Sequence, residues 1–582
     1  MNTFSAILES HYQAHPEQVA IVLQHAGQPD RPITYRELLA GANAYARAYA
    51  ARGLQPDEVI ILILQHGADL IFAFIGAILA GSIPSIMPYL TEKLLPERYR
   101  ADLAALVSVT RPAGIVTYPD FEPEVHAALR GESQSPVPEG FQASAPEGFP
   151  IPAPEDSPVR AVLVTDQIGP PCAPDFAALA GLRCAPEDIV LLQHSSGTTG
   201  LQKGVALSHR AVLNQVESYK LALRFSPADV IVSWLPLYHD MGLIAGFLMP
   251  LLTGNTLVIM SPFDWVRAPA RLLQSIARYR GTLAWLPNFA YNFCAAKIRE
   301  RDLEGLDLSS WRGVINCSEP MRHESQQAFL QRFAPYGLRP EALLTCYAMA
   351  ENTFAVTQGG VDAPATVDPI DMEAMQVEKV ARPAYDGRPA IHMLSAGRPI
   401  RNVEVKVVDE QGAALPERQV GELALRSDCM LTGYYHRADA TEKAFRDGWY
   451  LTGDFGYMAG GEVYVAGRKK DLIIVGGKNV YPQDIELLAM QVSGVHAGRV
   501  SAFGVFNEAS GTEDVVLVAE VDTSDPEARR QIAEGIRQAV NRGSAIALRH
   551  VHIVSAPWIV KTSSGKTARL ANRDKYLAEM AQ

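Results

Sequence analysis

The sequence predicts an α/β protein. A large N-terminal region is built on mostly parallel sheets with a small antiparallel β unit, and a small α+β domain follows it. Three observations carry this prediction. Short apolar runs alternate with helix-length stretches early in the chain, the pattern of βαβ units. Two runs of alternating polarity, VEVKVVDE (403–410) and GELALRS (421–427), mark the antiparallel unit. The tail from about residue 471 carries helix and strand patterns of its own. The length of 582 residues, with 48% hydrophobic and 20% charged residues, suits several globular cores.

The elements can be taken in order. EVIILIL (58–64) is a β-rich apolar run, and a helical pattern covers about 68–80. No charged residue lies between Asp69 and Glu92, a length able to cross a bilayer. Gly81, Ser82, Pro84 and Ser85 interrupt it, so it reads as a buried helix, a turn and a short strand without stable membrane insertion. GIVTYPD (114–120) and VRAVLVTD (159–166) are strand candidates. Between them, 122–160 is rich in Pro, Glu and Ser, repeats PEGF twice, and reads as a surface excursion. IVLLQH (189–194) is a buried strand, and Ser208 is the N-cap of a helix over about 209–223. VIVSWLPLYHDMG (230–242) is a further strand and loop, and 361–396 is a polar, Pro-interrupted insertion with little periodicity. The tail has helices near 482–491 and 526–541 and strands near 499–505, 514–521 and 549–554. A terminal loop then turns into a helix.

Composition narrows the function. Lys and Arg total 52 against 64 Asp and Glu, a net charge of −12, with no basic run beyond Arg468-Lys469-Lys470. A nucleic-acid partner is therefore not expected, and an anionic substrate needs a locally positive site. The six cysteines show no C-x-x-C spacing, which fits reduced thiols in a cytoplasmic protein rather than a disulfide frame or zinc site. The N-terminus has no basic n-region or long apolar h-region of a secretory signal.

The densest chemical motif is SSGTTGLQKG (195–204), after a strand and before a helix. Gly197, Gly200 and Gly204 permit close backbone approach to a ligand. Ser195, Ser196, Thr198 and Thr199 offer hydroxyl donors, and Lys203 a point charge. This set suits a polyphosphate; the alternative is an ordinary flexible loop. It is not a Walker A loop, because Gly204 rather than Ser or Thr follows Lys203. At Gly565-Lys566-Thr567 the leading glycine is missing, since position 560 is Val.

The loop resembles the phosphate-binding signature of adenylate-forming enzymes, the superfamily of acyl-CoA synthetases, peptide-synthetase adenylation domains, luciferases and fatty acyl-AMP ligases. Further motifs stand in the family's order: LPLYHDMG (235–242), NCSEPM (316–321), CYAMAENT (346–353), YLTGDFG (450–456), GRKKDLIIVGGKNVYPQDIE (467–486) and SSGKTAR (563–569). The resemblance covers nearly the whole chain. It implies a multi-subdomain region 1–469 that binds ATP and acyl group and contains the insertion at about 361–396. It also implies a mobile catalytic domain, 470–582, with ATP and Mg²⁺ as cofactors.

The reaction so implied joins a carboxylate to the α-phosphate of ATP and expels pyrophosphate. A carboxylate is ionised at pH 7, so no general base is needed, and catalysis rests on placing and neutralising anions. By resemblance, Glu351 is the magnesium carboxylate and Asp454 accepts from the ribose hydroxyls. Arg468 reaches ribose or phosphate, and Ser318, Glu319 and Pro320 lie along the adenine, with Tyr347 stacking on or bordering it. Lys566 is the mobile catalytic lysine and Lys470 the hinge. The run Tyr347-Ala348-Met349-Ala350 departs from the family, which often has Thr two residues after a Tyr-Gly pair. That hydroxyl is either missing or supplied by Thr345 or Thr353. His239 resembles the His at the mouth of the acyl pocket, with a structural role as the alternative, and Asp240 reads as structural or a loop cap.

No clear anionic partner for a substrate ammonium stands in 235–242, and the surrounding chain is apolar, including Trp234, Leu243, Ile244, Trp285 and Phe289. A fatty or other hydrophobic acid is expected. The wording LPLYHDMGLI, the Ala in YAMAENT and the insertion resemble fatty acyl-AMP ligases, in which the acyl group passes to a carrier-protein phosphopantetheine and the insertion disfavours CoA. The alternative is a medium- or long-chain acyl-CoA synthetase. A non-catalytic adenylate-binding protein and an NTPase are further alternatives.

Overall fold

The computed structural model describes residues 3–89, 96–130, 158–194, 203–361, 363–385, 390–475, 478–508, 511–544, 546, 548–562 and 565–580, without the side chains of residues 97 and 98. The apolar runs become two seven-stranded sheets. The first runs Leu343–Thr345, Gly313–Asn316, Leu283–Leu286, Val230–Ser233, Thr256–Met260, Val19–Gln24, Arg31–Thr34. Its pairs are parallel except the closing hairpin of Val19–Gln24 with Arg31–Thr34. The second runs Gly433–Tyr434, Gly204–Ser208, Ile189–His194, Ile83–Ile86, Val59–Leu62, Gly114–Thr117, Ala161–Val164. It is parallel from Ile189–His194 onward and antiparallel before that.

The uncharged stretch after Asp69 is a buried helix, Ala68–Leu79, followed by the strand Ile83–Ile86. It lies against the helix Tyr35–Ala51, and the contact is too close for side chains at its centre. A Cβ on Gly76 would stand 2.5 Å from the Ala42 carbonyl oxygen, and one on Gly41 2.6 Å from the Phe72 ring. Among the described residues no helix is long and apolar enough to cross a membrane.

Ser208 caps the helix His209–Ala222 as expected, accepting from the Ala211 amide. The strand Gly204–Ser208, however, separates that helix from the glycine-rich loop. The loop therefore joins two antiparallel strands and does not open onto a helix N-terminus. The PEGF repeats lie outside the described residues, although the excursion begins with a helix, Glu122–Leu129. The insertion also departs from the sequence reading. Val367–Asp371 and Ala390–Leu394 pair as antiparallel strands, and a π-helical turn, Ala374–Glu378, lies between them. Pro369 and Pro383 masked the alternation.

Val403–Val408, Gly421–Ser427, Trp449–Ala459, Phe445–Arg446 and Glu462–Arg468 form the antiparallel unit. From Ile473 the chain builds a separate core around Ile485, Val500, Leu517, Ile536 and Val540. This core is formed by Val495–Asn507, Thr512–Val521 and His550–Ser555 with the helices Pro482–Met490 and Pro526–Gly543. The last helix, Arg569–Met580, packs against Val495–Asn507.

Candidate active site

The parallel strands of the first sheet end at Ser233, Leu286, Asn316 and Thr345, and the sequence motifs follow those ends. Carboxyl ends of parallel strands are where α/β sheets gather ligand-binding loops. Facing them, Asp454 and Arg468 are Cα partners across the antiparallel unit.

Asp454 accepts from the Tyr347 hydroxyl at 2.7 Å and lies 3.6 Å from the Arg468 Nε. Burial raises its pKa, and the charges of Arg468, Lys566 and Lys470 and the Tyr347 hydrogen bond oppose that rise. Burial likewise works against the Arg468 charge, but Asp454, Asp471 and Glu351 outweigh it and hold the guanidinium protonated.

Glu351 accepts from the Tyr434 hydroxyl at 2.9 Å, and Lys203 sits over the Tyr434 ring, 4.5 Å from its centroid. Burial raises the Glu351 pKa and the Asp240 charge adds to it, against the Tyr434 hydrogen bond and Arg468. A half-buried carboxylate that accepts from one neutral side-chain hydroxyl is short of positive charge. A divalent cation shared with phosphate oxygens fits that donor set. Among the described residues no group of three or more His, Cys, Asp or Glu is arranged to hold an ion alone.

Lys566 acts on the same groups. Burial lowers its pKa and Arg468 lowers it further, while Asp240, Glu319 and Cys317 oppose that shift. Lys470 is lowered by burial and by repulsion from Arg468 and Lys203. Cations from three distant stretches, Lys203, Arg468 with Lys470, and Lys566, thus act on one another and on Asp240, Glu319, Glu351 and Asp454. Ser195, Ser196, Gly197, Thr198, Thr199 and Gly200 lie outside the described residues.

Ser318 has φ +67°, a strained value for a non-glycine residue, and its hydroxyl lies 3.7 Å from the Met241 sulfur. Glu319 accepts from the Phe289 amide at 2.9 Å, which fixes the turn ahead of Pro320. Ala348 bridges to Ala355, and the Met349 amide donates to Phe354 O. Thr353 is fully buried and donates to Cys429 O at 2.7 Å, while the Thr345 hydroxyl is buried at the end of its strand with no hydrogen-bond partner among the described residues.

His239 Nδ1 stands 2.6 Å from Asp240 Oδ1. Asp240 does cap the following turn, accepting from the Met241 amide at 2.7 Å, as the sequence suggested. It also faces Lys566, which the motif did not reveal. Burial raises the Asp240 pKa, but His239, Lys566 and the Met241 amide outweigh it and keep the group below the ordinary carboxylate value. Leu243 and Ile244 are buried on the π-helical turn Met241–Leu248. Gly242 lets that turn close on Pro236, whose carbonyl oxygen would stand 2.2 Å from an added Cβ.

Trp234 stacks on Trp265 with centroids 3.6 Å apart, and Phe289 meets both edge-on. Phe289 is 39% exposed and forms the open side of this aromatic group. Trp285 is as enclosed as Leu243, Ile244 and Trp234. It is 1% exposed and its indole donates to the Tyr219 hydroxyl at 2.9 Å, a contact of the core behind the strand. The motifs also gave no sign of Tyr434, because a tyrosine between apolar residues reads as ordinary core.

The AMP-binding enzyme family model matches residues 8–435. The medium-chain-fatty-acid–acyl-carrier-protein ligase JamA of Moorena producens is 30% identical over 98% of this chain and 93% of its own. The long-chain-fatty-acid–AMP ligase FadD32 of Mycobacterium marinum is 30% identical over 94% and 89%. A solved structure from work on fatty acyl-adenylate ligases of E. coli and L. pneumophila has a TM-score of 0.85 at 26% identity, covering 100% of this chain and 98% of that one. The chain belongs to the AMP-binding enzyme family, on its fatty acyl-AMP ligase branch.

Proposed function

We propose that this chain activates a fatty acid as its acyl-adenylate and then passes the acyl group to the phosphopantetheine thiol of a carrier protein. The observation that carries this reading is Asp454, held 2.7 Å from the Tyr347 hydroxyl and 3.6 Å from Arg468 Nε, with the Lys566 charge acting on it and on Asp240. In the first step a carboxylate oxygen bonds to the α-phosphorus of ATP and the bond to the β-phosphate oxygen breaks, releasing pyrophosphate. Lys566 bridges the two approaching anions, while Lys203 and Arg468 offset charge on the phosphates. Asp454 holds the ribose, and Ser318, Glu319, Pro320, Tyr347, Ala348 and Met349 border the adenine. The loop 195–200 wraps the phosphates. Glu351 would hold Mg²⁺, which supplies charge neutralisation at the phosphate oxygens.

His239 stands at the mouth of an acyl pocket floored by Leu243 and Ile244 and walled by Trp234 and Phe289. In the second step the thiol attacks the acyl carbon and AMP leaves. The boundary at 469/470 with Lys470 as hinge would let the C-terminal segment swing between the steps. Ile370 and Met375 of the insertion share a buried cluster with Tyr481, and Leu472 packs against it, which supports a brake on CoA use. The six cysteines carry free thiols, which suits the reducing cytoplasm.

The discriminating experiment supplies ATP and a fatty acid with either CoA or a holo carrier protein and follows each thiol by mass. Carrier acylation without acyl-CoA is expected. Acyl-CoA as the main product favours the synthetase reading, and a relative at 28% identity is named a putative acyl-CoA synthetase.

A further inference from the structure

Arg322 begins two residues beyond Pro320. Its backbone amide donates to Asn288 Oδ1 at 3.0 Å, which ties it to the wall of the candidate site. Its guanidinium crosses to the C-terminal segment and donates to Asp484 Oδ1 at 2.6 Å. The two side chains are 17% and 24% exposed, so the pair is partly shielded from water. Asp484 lies in the first turn of Pro482–Met490.

Two residues along, the same helix presents Glu486. Residues i and i+2 of a helix point about 200° apart, so the two carboxylates serve opposite faces. Glu486 accepts from Arg569 Nε at 2.8 Å and Nη2 at 2.7 Å, and from the Ala502 amide at 3.0 Å. Arg569 also donates from Nη1 to Asp471 at 2.9 Å, next to Lys470.

Arg569 stands three residues after Lys566. On the other side of the lysine, Thr562 N donates to Lys566 O at 2.8 Å and Lys566 N donates to Thr562 Oγ1 at 3.1 Å. The Ala568 amide donates to Val560 O. The helix Pro482–Met490 therefore ties the adenine-side segment, through Asp484 on one face, to Arg569 near the lysine, through Glu486 on the other.

We infer that Arg322 and Asp484 are positioning residues that latch the C-terminal segment over the site and so place Lys566 for adenylation. The inference rests on the two-step function proposed above. The latch touches neither ATP nor acid. It favours the orientation that the first step uses, and the second step, which follows release of that orientation, does not depend on it.

The test measures the two half-reactions separately on the full chain. Fatty-acid-dependent pyrophosphate release reports the first, and acyl transfer from synthetic acyl-AMP to a holo carrier protein reports the second. Arg322→Ala and Asp484→Asn are each expected to slow pyrophosphate release about tenfold, equivalent to ~1.4 kcal/mol, and to leave transfer from acyl-AMP unchanged or faster. The exchanged pair Arg322→Asp with Asp484→Arg is expected to recover much of the first step. The inference is overturned if both half-reactions fall together with no recovery in the exchanged pair, or if neither changes. A parent chain that forms no acyl-AMP from any fatty acid defeats the proposed function instead, so the two failures are distinct.

Discussion

Replacing Lys566 by Ala removes an ammonium attracted by Asp240 and Glu319 and repelled by Arg468. The turn itself survives on structural grounds. Its closure uses the Lys566 backbone and Thr562, and Arg569 anchors the following helix. Asp240 keeps His239 and the Met241 amide as partners. The loss is then that of one charged donor aimed at a developing charge in a water-poor site, about 10²–10³-fold in rate or ~2.7–4 kcal/mol. The assay is single-turnover pyrophosphate release at saturating ATP and fatty acid, with a melting curve confirming the fold. Transfer from synthetic acyl-AMP is expected to proceed. A pyrophosphate rate indistinguishable from that of the parent chain would refute the role given to Lys566.

Burial and Arg468 lower the Lys566 pKa, so the ammonium loses its proton below the ordinary lysine range near 10.4. Adenylation should therefore fall on an alkaline limb below that value, and Lys566→Arg, where active, should move the limb upward. Burial raises the Glu351 pKa, so its carboxylate becomes neutral at a higher pH than an ordinary Glu near 4.3. The acid limb of the rate should lie above that value, and Glu351→Gln should raise the Mg²⁺ concentration needed for half-maximal rate. Tyr347→Phe removes the 2.7 Å donor to Asp454 and should raise KM for ATP about tenfold, the scale of a hydrogen bond to a charged group. Gly76→Ala drives a methyl to within 2.5 Å of Ala42 O and should destabilise the N-terminal region by ~1–3 kcal/mol, read as a lower thermal midpoint.

Much of the architecture was legible because burial writes itself into composition. The runs at 58–64 and 189–194 are strands, and the cap at Ser208 starts its helix where the side chain satisfies an otherwise orphaned amide. The insertion was not legible as a hairpin, since prolines at 369 and 383 hide a two-residue alternation that pairing with 390–394 supplies. The glycine-rich loop does follow a strand and precede the helix capped by Ser208, but the five-residue strand Gly204–Ser208 between them carries no signal of its own in the sequence.

At the site, the motif residues told of chemistry, and the partners that tune them stayed silent. Nothing in the sequence ties Tyr434 to Glu351 across 83 positions, or Arg322 to Asp484 across 162. Such pairs are made by the fold and have no local pattern. The apolar neighbourhood of Trp285 describes a core strand as well as a pocket wall, and so does that of Leu243 and Ile244.

The most direct measurement is fatty-acid-dependent exchange of labelled pyrophosphate into ATP, run with the parent chain and Mg²⁺ and with no thiol present. Exchange that requires the acid, together with a product of acyl-AMP mass, is the expected result. Steady phosphate release without any acid, or no exchange across a series of chain lengths, would contradict it.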